Sequence, residues 1–180
     1  ILAFSLAPVC KHIRKTFDGE IFPGDVFFHN DVFSLGNQNN DVAVFKPVFH
    51  GEQLVAWTAV KGHQADIGGN VRGGYNPNAV EVWQEALRIP AVKVVERGKL
   101  RRDVWNLVFA NIRLKIVEED IKAQIGGCTV GERGYKLSGG ALRGLVDEFA
   151  ALGGHALEVG LGGIARHDLD RLSTLARRSR

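Results

Sequence analysis

Methionine is absent from the 180-residue chain, and cysteine occurs only twice. Since an intact reading frame normally begins with methionine, we expect that Ile1 is not the natural first residue. Cys10 and Cys128 lie far apart, and neither belongs to a Cys-x-x-Cys pair, so the common cysteine-based zinc and redox motifs are excluded. We expect both thiols to be reduced, as is usual in a cytoplasmic protein.

An excess of charge and a long hydrophobic run are also lacking. Lys and Arg number 23 against 20 Asp and Glu, a net charge of +3, whereas a nucleic-acid-binding surface needs a basic stripe or patch. No segment approaches the roughly 20 apolar residues of a membrane-spanning helix. The apolar start "ILAFSLAPV" lacks the basic region that precedes a signal-peptide core. We therefore expect a cytoplasmic protein with no nucleic-acid partner and no membrane partner.

The most clearly marked secondary structure is a β-hairpin. Residues 42–49 and 54–61 read as strands, joined by a turn at residues 50–53. Both strands are apolar on both faces, which predicts a sheet covered on both sides. Pro47 cannot donate a ladder hydrogen bond, so one side of its strand must lie at an edge or a bulge. A shorter strand is predicted at Val26 to Phe28.

Helices are predicted on either side of a further strand. The apolar spacing favours a helix over residues 79–89, a short strand and a turn within 91–100, and one long or two consecutive helices over 101–125. Beyond residue 125 the chain is glycine-rich and shows no sustained period, although residues 141–152 resemble a helix. We expect the opening segment to be the end of a buried element. The order predicts an α+β (mixed α/β) fold, a hairpin-containing sheet packed with helices, as part of a larger domain.

Polar residues accumulate just before the first hairpin strand. They are His29, Asn30, Asp31, Asn37, Gln38, Asn39, Asn40 and Asp41. Burying such a cluster is costly unless every polar group has a partner. Antiparallel pairing brings Asp41 and His63 to the same end of the hairpin, and Gln38 lies on the approach. Imidazole, carboxylate and amide groups suit manganese, magnesium, zinc or iron. The alternative is a solvated hairpin end whose Asn and Asp residues form Asx turns.

Other candidates are explained more simply by structure than by function. The loop "ADIGGNVRGG" matches neither common phosphate-binding glycine motif and is interpreted as a mobile loop. His50 lies in the hairpin turn, where we expect it to be exposed. The tryptophans are interpreted as core residues: Trp57, Trp83 and Trp105. Cys128 has no evident base nearby in sequence and is interpreted as a buried, inert thiol.

Five segments together resemble the hydantoinase B/oxoprolinase family over roughly residues 20–133. They are "PGDVFFHNDVF" (23–33), "NDVAVFKPVF" (40–49), "GHQADIGG" (62–69), "WQEALRIPAVKVVERGKL" (83–100) and "LVFANIRLKIVEEDIKAQIGGCTVGER" (107–133). Members are subunits or domains of ATP-dependent cyclic-amide hydrolases (N-methylhydantoinase, oxoprolinase) or of acetone and acetophenone carboxylases. The resemblance implies a divalent metal and a hydantoinase A-type partner subunit that uses ATP.

The resemblance also assigns the site residues. Many relatives have His-x-x-Asp before the first hairpin strand, which forms a metal site with a histidine of the "GHQADIGG" segment. Asp41 and His63 match this pattern, whereas Gln38 replaces the first histidine. The expected metal is manganese, zinc or iron. His29 and Asp31 are candidates for proton transfer, or for groups that support the metal ligands.

The resemblance leaves three functions open. Residues 1–133 are interpreted as part of a family region and residues 134–180 as an unrecognised glycine-rich tail, so the chain is expected to be a fragment. The favoured function is hydrolysis of a cyclic amide with the partner subunit. The alternatives are carboxylation of a ketone and a non-catalytic role in which the fragment packs on a partner. A further possibility is that the chain is the remnant of a gene and folds poorly, in which case its missing flanks would leave apolar surface exposed.

Overall fold

The computed structural model describes residues 5–74, 76–137 and 157–158. Its helices are α1 (Leu6–Thr16), α2 (Arg102–Ala110) and α3 (Ile116–Leu137), and its strands are β1 (Val26–His29), β2 (Asp41–His50), β3 (Gln53–His63), β4 (Val92–Glu96), β5 (Lys99–Leu100) and β6 (Leu157–Glu158). The strand order is β5-β4-β1-β2-β3-β6. Strands β1 to β5 pair antiparallel, and β6 adds parallel to β3. This confirms the α+β expectation of a hairpin-containing sheet packed with helices.

The β2–β3 hairpin forms where the sequence predicts it and is slightly longer at both ends. Its register runs from Asp41 opposite His63 to His50 opposite Gln53, and His50 is exposed as expected. The pairing of β1 with β2 is confined to residues 43–45 of β2. Pro47 therefore lies beyond the pairing with β1, just before the register shift between Val48 and Phe49, as its missing N–H requires.

Helices cover both faces of the sheet, which explains why β2 and β3 are apolar on both sides. On one face, the buried α1 residues Val9, Cys10 and Ile13 join a core with Phe27, Ala43, Phe45, Trp57, Ala59 and Ala91. On the other face, residues of α2 and α3 such as Trp105, Val117 and Ile121 pack against Phe28, Val42, Val44 and Val94. The opening segment thus contributes a helix with one buried face, and no described helix is long and apolar enough to cross a membrane.

The prediction of a helix over residues 79–89 is wrong. Only a 3-10 turn at Val82–Gln84 forms there. The backbone of the following residues is bonded elsewhere: the Leu87 N–H donates to the Ile67 carbonyl, the Leu87 carbonyl accepts from the Asn30 amide, and the Ile89 N–H donates to the Asn30 side-chain oxygen. Tertiary partners therefore replace the helical hydrogen bonds.

The same segment also overturns the assignment of Trp83 to the core. Its side chain is 63% exposed, whereas Trp57 and Trp105 are buried at 2% and 7% exposure as expected. Without a helix, the apolar spacing of this segment no longer directs Trp83 inward.

Two consecutive helices occupy the stretch beginning near residue 101, but the second continues past the expected boundary. Helix α3 runs through Gly126 and Gly127 to Leu137. A Cβ at Gly127 would lie 3.1 Å from a methyl of Val60, so this glycine lets α3 approach β3 closely. The helix predicted at residues 141–152 lies outside the described residues. Neither cysteine forms a disulfide, and both are buried; burial raises the pKa of Cys128 to about 11, as expected for an inert thiol.

A triad of polar groups and a buried relay

The hairpin end brings Gln38, Asp41 and His63 into mutual contact. Asp41 Oδ1 lies 2.9 Å from His63 Nδ1, and Gln38 Nε2 lies 3.0 Å from that oxygen and 2.8 Å from that nitrogen. Register explains the first pair, since Asp41 is directly opposite His63. The Asp41 side chain is 1% exposed and that of His63 is 60% exposed, so one side of the triad is open to ligands.

With Asp41 ionised, no arrangement of protons satisfies all three contacts of the triad. Asp41 Oδ1 can only accept and the Gln38 amide nitrogen can only donate, so His63 Nδ1 would have to donate to Asp41 and accept from Gln38 at once. If the Gln38 amide is turned around, its oxygen faces Asp41 Oδ1, and two hydrogen-bond acceptors are then in contact. A cation removes the conflict, because the imidazole nitrogen, the carboxylate and the amide oxygen can each offer it a lone pair.

The distances within the triad also fit a metal ion. Neighbouring ligands of an octahedral ion, each about 2.1 Å from the metal, lie about 3.0 Å apart, close to the three separations in the triad. Asp41 Oδ2 is buried and has no hydrogen-bond partner among the residues that the structure describes. Gln38 is needed to complete the set, because no group of three His, Cys, Asp or Glu residues in the described part of the chain is arranged to hold a metal.

Lys61 supplies a positive charge next to the triad that the sequence did not single out. Its Nζ lies 3.9 Å from Asp41 Oδ2 and donates to the hydroxyl of Ser5 at 2.8 Å. Burial lowers the pKa of Lys61, and the charge of Asp41 partly opposes this shift. The lysine therefore balances part of the Asp41 charge and would compete with an incoming cation for it.

His29 and Asp31 lie at the end of β1 and are linked by a residue that sequence reasoning missed. Ser34 Oγ donates to Asp31 Oδ2 at 2.8 Å and lies 3.0 Å from His29 Nε2. The Arg88 Nε donates to Asp31 Oδ1 at 2.7 Å. The result is a relay from His29 through Ser34 to Asp31 and Arg88. No sequence motif marks Ser34 or Arg88, since Arg88 is 57 residues from its partner.

The two titratable members of this relay respond differently to their surroundings. Burial lowers the pKa of His29 to about 4, helped by the charges of His12 and Lys61 and opposed by Asp31 and Ser34. For Asp31, burial raises the pKa, but hydrogen bonds from Arg88, Ser34 and the Phe33 N–H outweigh it and leave the pKa below its usual value. At neutral pH, His29 is therefore neutral and Asp31 is ionised.

Sheet register places the triad and the relay on the same face. His29 pairs with Ala43, which in turn pairs with Lys61. Asp41 lies two residues before Ala43 in β2, and His63 lies two residues after Lys61 in β3. Side chains at alternate positions of a strand share a face. The sequence-predicted site residues thus form two neighbouring groups, with Gln38, Asp41 and His63 in one and His29 and Asp31 in the other.

The side chain of Asn30 holds the polar row in place. The buried Asn30 amide bonds to the carbonyls of Asn39 and Leu87 and to the Ile89 N–H. The side chain of Asn39 is buried with no partner for either polar atom in the described residues. Only Gln38 of the eight residues in the row is exposed. The row is thus mostly buried, whereas the alternative interpretation required a solvated loop.

The hydantoinase B/oxoprolinase family model matches residues 1–138. The chain belongs to this family. It is 48% identical over 130 residues to caprolactamase subunit beta of Pseudomonas jessenii, covering 72% of this chain and 22% of that protein. It is 34% identical over 127 residues to the acetophenone carboxylase delta subunit of Aromatoleum aromaticum, covering 69% and 18%.

Solved structures agree with this family assignment. The ATP-dependent caprolactamase from Pseudomonas jessenii matches with a TM-score of 0.70 and 41% identity, over 80% of this chain and 26% of that one. An acetone carboxylase matches with a TM-score of 0.62 at 22% identity, over 83% and 18%, which supports the fold alone. The chain spans about a fifth of the length of the curated family relatives reported above.

Proposed function

We propose that this chain acts as part of a B-type subunit that hydrolyses a cyclic amide, together with a hydantoinase A-type partner that uses ATP. The support is the 48% identity to a caprolactamase subunit, compared with 34% to a carboxylase subunit. The substrate in this proposal is a small cyclic amide activated by the partner. A cytoplasmic location is part of the proposal, in keeping with two buried cysteines that form no disulfide.

The metal in this proposal is supported by the triad, whose three contacts cannot all be satisfied by protons while Asp41 is ionised. In the proposed site, Gln38, Asp41 and His63 hold a divalent cation, with manganese, zinc or iron as candidates. When bound, such an ion supplies Lewis-acid polarisation of a carbonyl oxygen or activates a water molecule. Asp41 contributes the buried negative charge, and the open side of His63 leaves room for substrate.

His29 and Asp31 take different roles in this proposal. His29 is neutral at pH 7 because of its lowered pKa, so it is available to accept a proton. Asp31 is held by Arg88 and Ser34, and its ionised state orients the relay rather than exchanging protons. Of the two candidates for proton transfer or for support of the metal ligands, His29 is proposed for proton transfer and Asp31 for support.

Metal binding to the purified chain tests the triad directly. We expect Mn²⁺ to bind at one site, detected by the loss of the free-ion electron paramagnetic resonance signal, and His63→Ala to abolish binding. His50→Ala is the matched control, because His50 lies at the opposite end of the same hairpin and its removal should leave binding unchanged. Equal binding by the His63→Ala variant would refute the metal assignment.

Turnover with the partner subunit distinguishes the candidate functions. Hydrolysis predicts ATP-dependent opening of a lactam or hydantoin, whereas carboxylation predicts ATP- and bicarbonate-dependent consumption of a ketone. A non-catalytic role predicts that the chain co-purifies with the partner and adds no activity. This last candidate is supported by exposed large apolar side chains in the described residues, among them Phe33, Trp83 and Leu107.

A further inference from the structure

A cleft of about 990 Å³ opens where the expected helix is absent. Its walls come from the loop at residues 68–70, the segment at 83–90 and the turn between α2 and α3 at 110–113. The lining combines the apolar side chains of Trp83, Leu87 and Ile112 with two guanidinium groups. A concave site with an apolar lining and a few polar groups is the usual form of a small-molecule pocket.

Arg88 is held rigidly at the edge of this cleft. Its guanidinium carbon lies 4.4 Å from the centre of the Phe33 ring and 5.6 Å from that of Trp83, and its Nε donates to Asp31. The two terminal nitrogens have no hydrogen-bond partner among residues 5–74 and 76–137. A planar guanidinium that is fixed through Nε and flanked by aromatic rings presents preorganised donors at little further cost in entropy.

The second arginine of the cleft is occupied by the protein itself. Arg113 bonds through its backbone N–H and its Nη1 to Asp66, and its side chain also donates to the carbonyls of Val71 and Gly69. Arg113 therefore closes one wall of the cleft. The two terminal nitrogens of Arg88, in contrast, are not engaged by any residue of the described part of the chain.

We propose that this cleft binds a small molecule with a carboxylate or phosphate group, whose oxygens accept from the terminal nitrogens of Arg88 while its apolar part packs on Trp83 and Leu87. Asp31 balances the charge of Arg88, so paired donor geometry rather than net charge gives the site its preference for an oxyanion. The site uses no residue of the Gln38, Asp41 and His63 triad, so the inference is independent of metal binding, although Arg88 also belongs to the relay through its bond to Asp31.

Trp83 provides a direct signal for binding, because it is exposed while Trp57 and Trp105 are buried. We would titrate the 180-residue chain with cyclohexanecarboxylate, with the neutral cyclohexanecarboxamide and with inorganic phosphate, and follow tryptophan emission. A saturable change with the carboxylate that is absent with the amide is the expected result. Saturation by inorganic phosphate with no response to the carboxylate would also support the oxyanion site and would identify phosphate as its ligand.

Variants assign the signal to residues. Trp83→Phe should remove the emission change, and Arg88→Gln should weaken binding at least tenfold. Arg102→Gln is the matched control, since Arg102 is exposed at the opposite end of α2 and should bind as the parent does. Arg88→Lys keeps the charge beside Asp31 and preserves the fold if Arg88→Gln does not, yet it should still weaken binding because it lacks the paired donors. Equal responses to acid and amide, no response to any probe, or undiminished binding by the Arg88→Lys variant would overturn the proposal.

Discussion

Gln38 contributes an amide group to the triad, in contact with Asp41 and His63. An amide oxygen suits hard cations but binds softer metals less well than imidazole does. We therefore predict that Gln38→His raises the affinity for Zn²⁺ by on the order of tenfold or more, measured by competition with a chromophoric chelator. Asn37→His is the control, because it adds an imidazole one residue outside the triad. If both variants bind alike, Gln38 does not occupy a ligand position.

His29 makes stability depend on pH in a direction fixed by its lowered pKa. Its pKa is about 4 in the folded chain and 6.5 ordinarily, so between these values the unfolded chain binds more protons and stability falls as pH falls. From pH 7 to pH 5, the parent should lose about 2 kcal/mol more free energy of unfolding than His29→Gln. Urea unfolding at both pH values measures this difference. Parallel losses in the two proteins would show that His29 does not carry the effect.

Glycines show how the same residue type has opposite effects in different elements. A Cβ at Gly36 would lie 2.5 Å from the Asn30 carbonyl oxygen and 2.6 Å from that of Asp31, and neither backbone atom can move without disturbing the relay. A Cβ at Gly126, on α3, would meet nothing within 4 Å. Close packing thus requires a glycine at position 36, whereas the space around Gly126 would accept a larger residue.

We accordingly predict that Gly36→Ala destabilises the fold by about 2 kcal/mol or more, while Gly126→Ala stabilises it by roughly 0.5–1 kcal/mol because alanine is the better helix former. Denaturant midpoints measure both changes. A neutral Gly36→Ala would mean that the loop from β1 to β2 yields readily. A destabilising Gly126→Ala would mean that α3 is not continuous through that position.

The segment from residue 79 to 89 shows why a helical pattern did not become a helix. Local spacing favours the helix, but Asn30 and Ile67 take the backbone hydrogen bonds of Leu87 and Ile89. These partners lie in distant parts of the sequence, so a local pattern carries no information about them. The hairpin, in contrast, was predictable because its two strands and its turn are adjacent in sequence.

At the scale of the whole molecule, the proposed metal site at the triad joins the loop before β2 to the far end of β3. A cation bound by the folded chain alone stabilises it by mass action, by about 2.7 kcal/mol at 100 times the dissociation constant. We predict that Mn²⁺ raises the midpoint of thermal unfolding of the parent and leaves His63→Ala unchanged, as followed by circular dichroism. Equal shifts for both proteins would indicate that the cation acts elsewhere.

The α+β class, the hairpin with its pairing of Asp41 and His63, and membership of the hydantoinase B/oxoprolinase family could all be predicted from the sequence, because they depend on local patterns and on motifs. Three features became visible only in the folded chain: Ser34 connects His29 to Asp31, Arg88 bonds to Asp31 from 57 residues away, and Trp83 faces a cleft. Those contacts depend on how separate elements pack, and burial and hydrogen bonding across the fold outweigh the local preferences that a sequence displays.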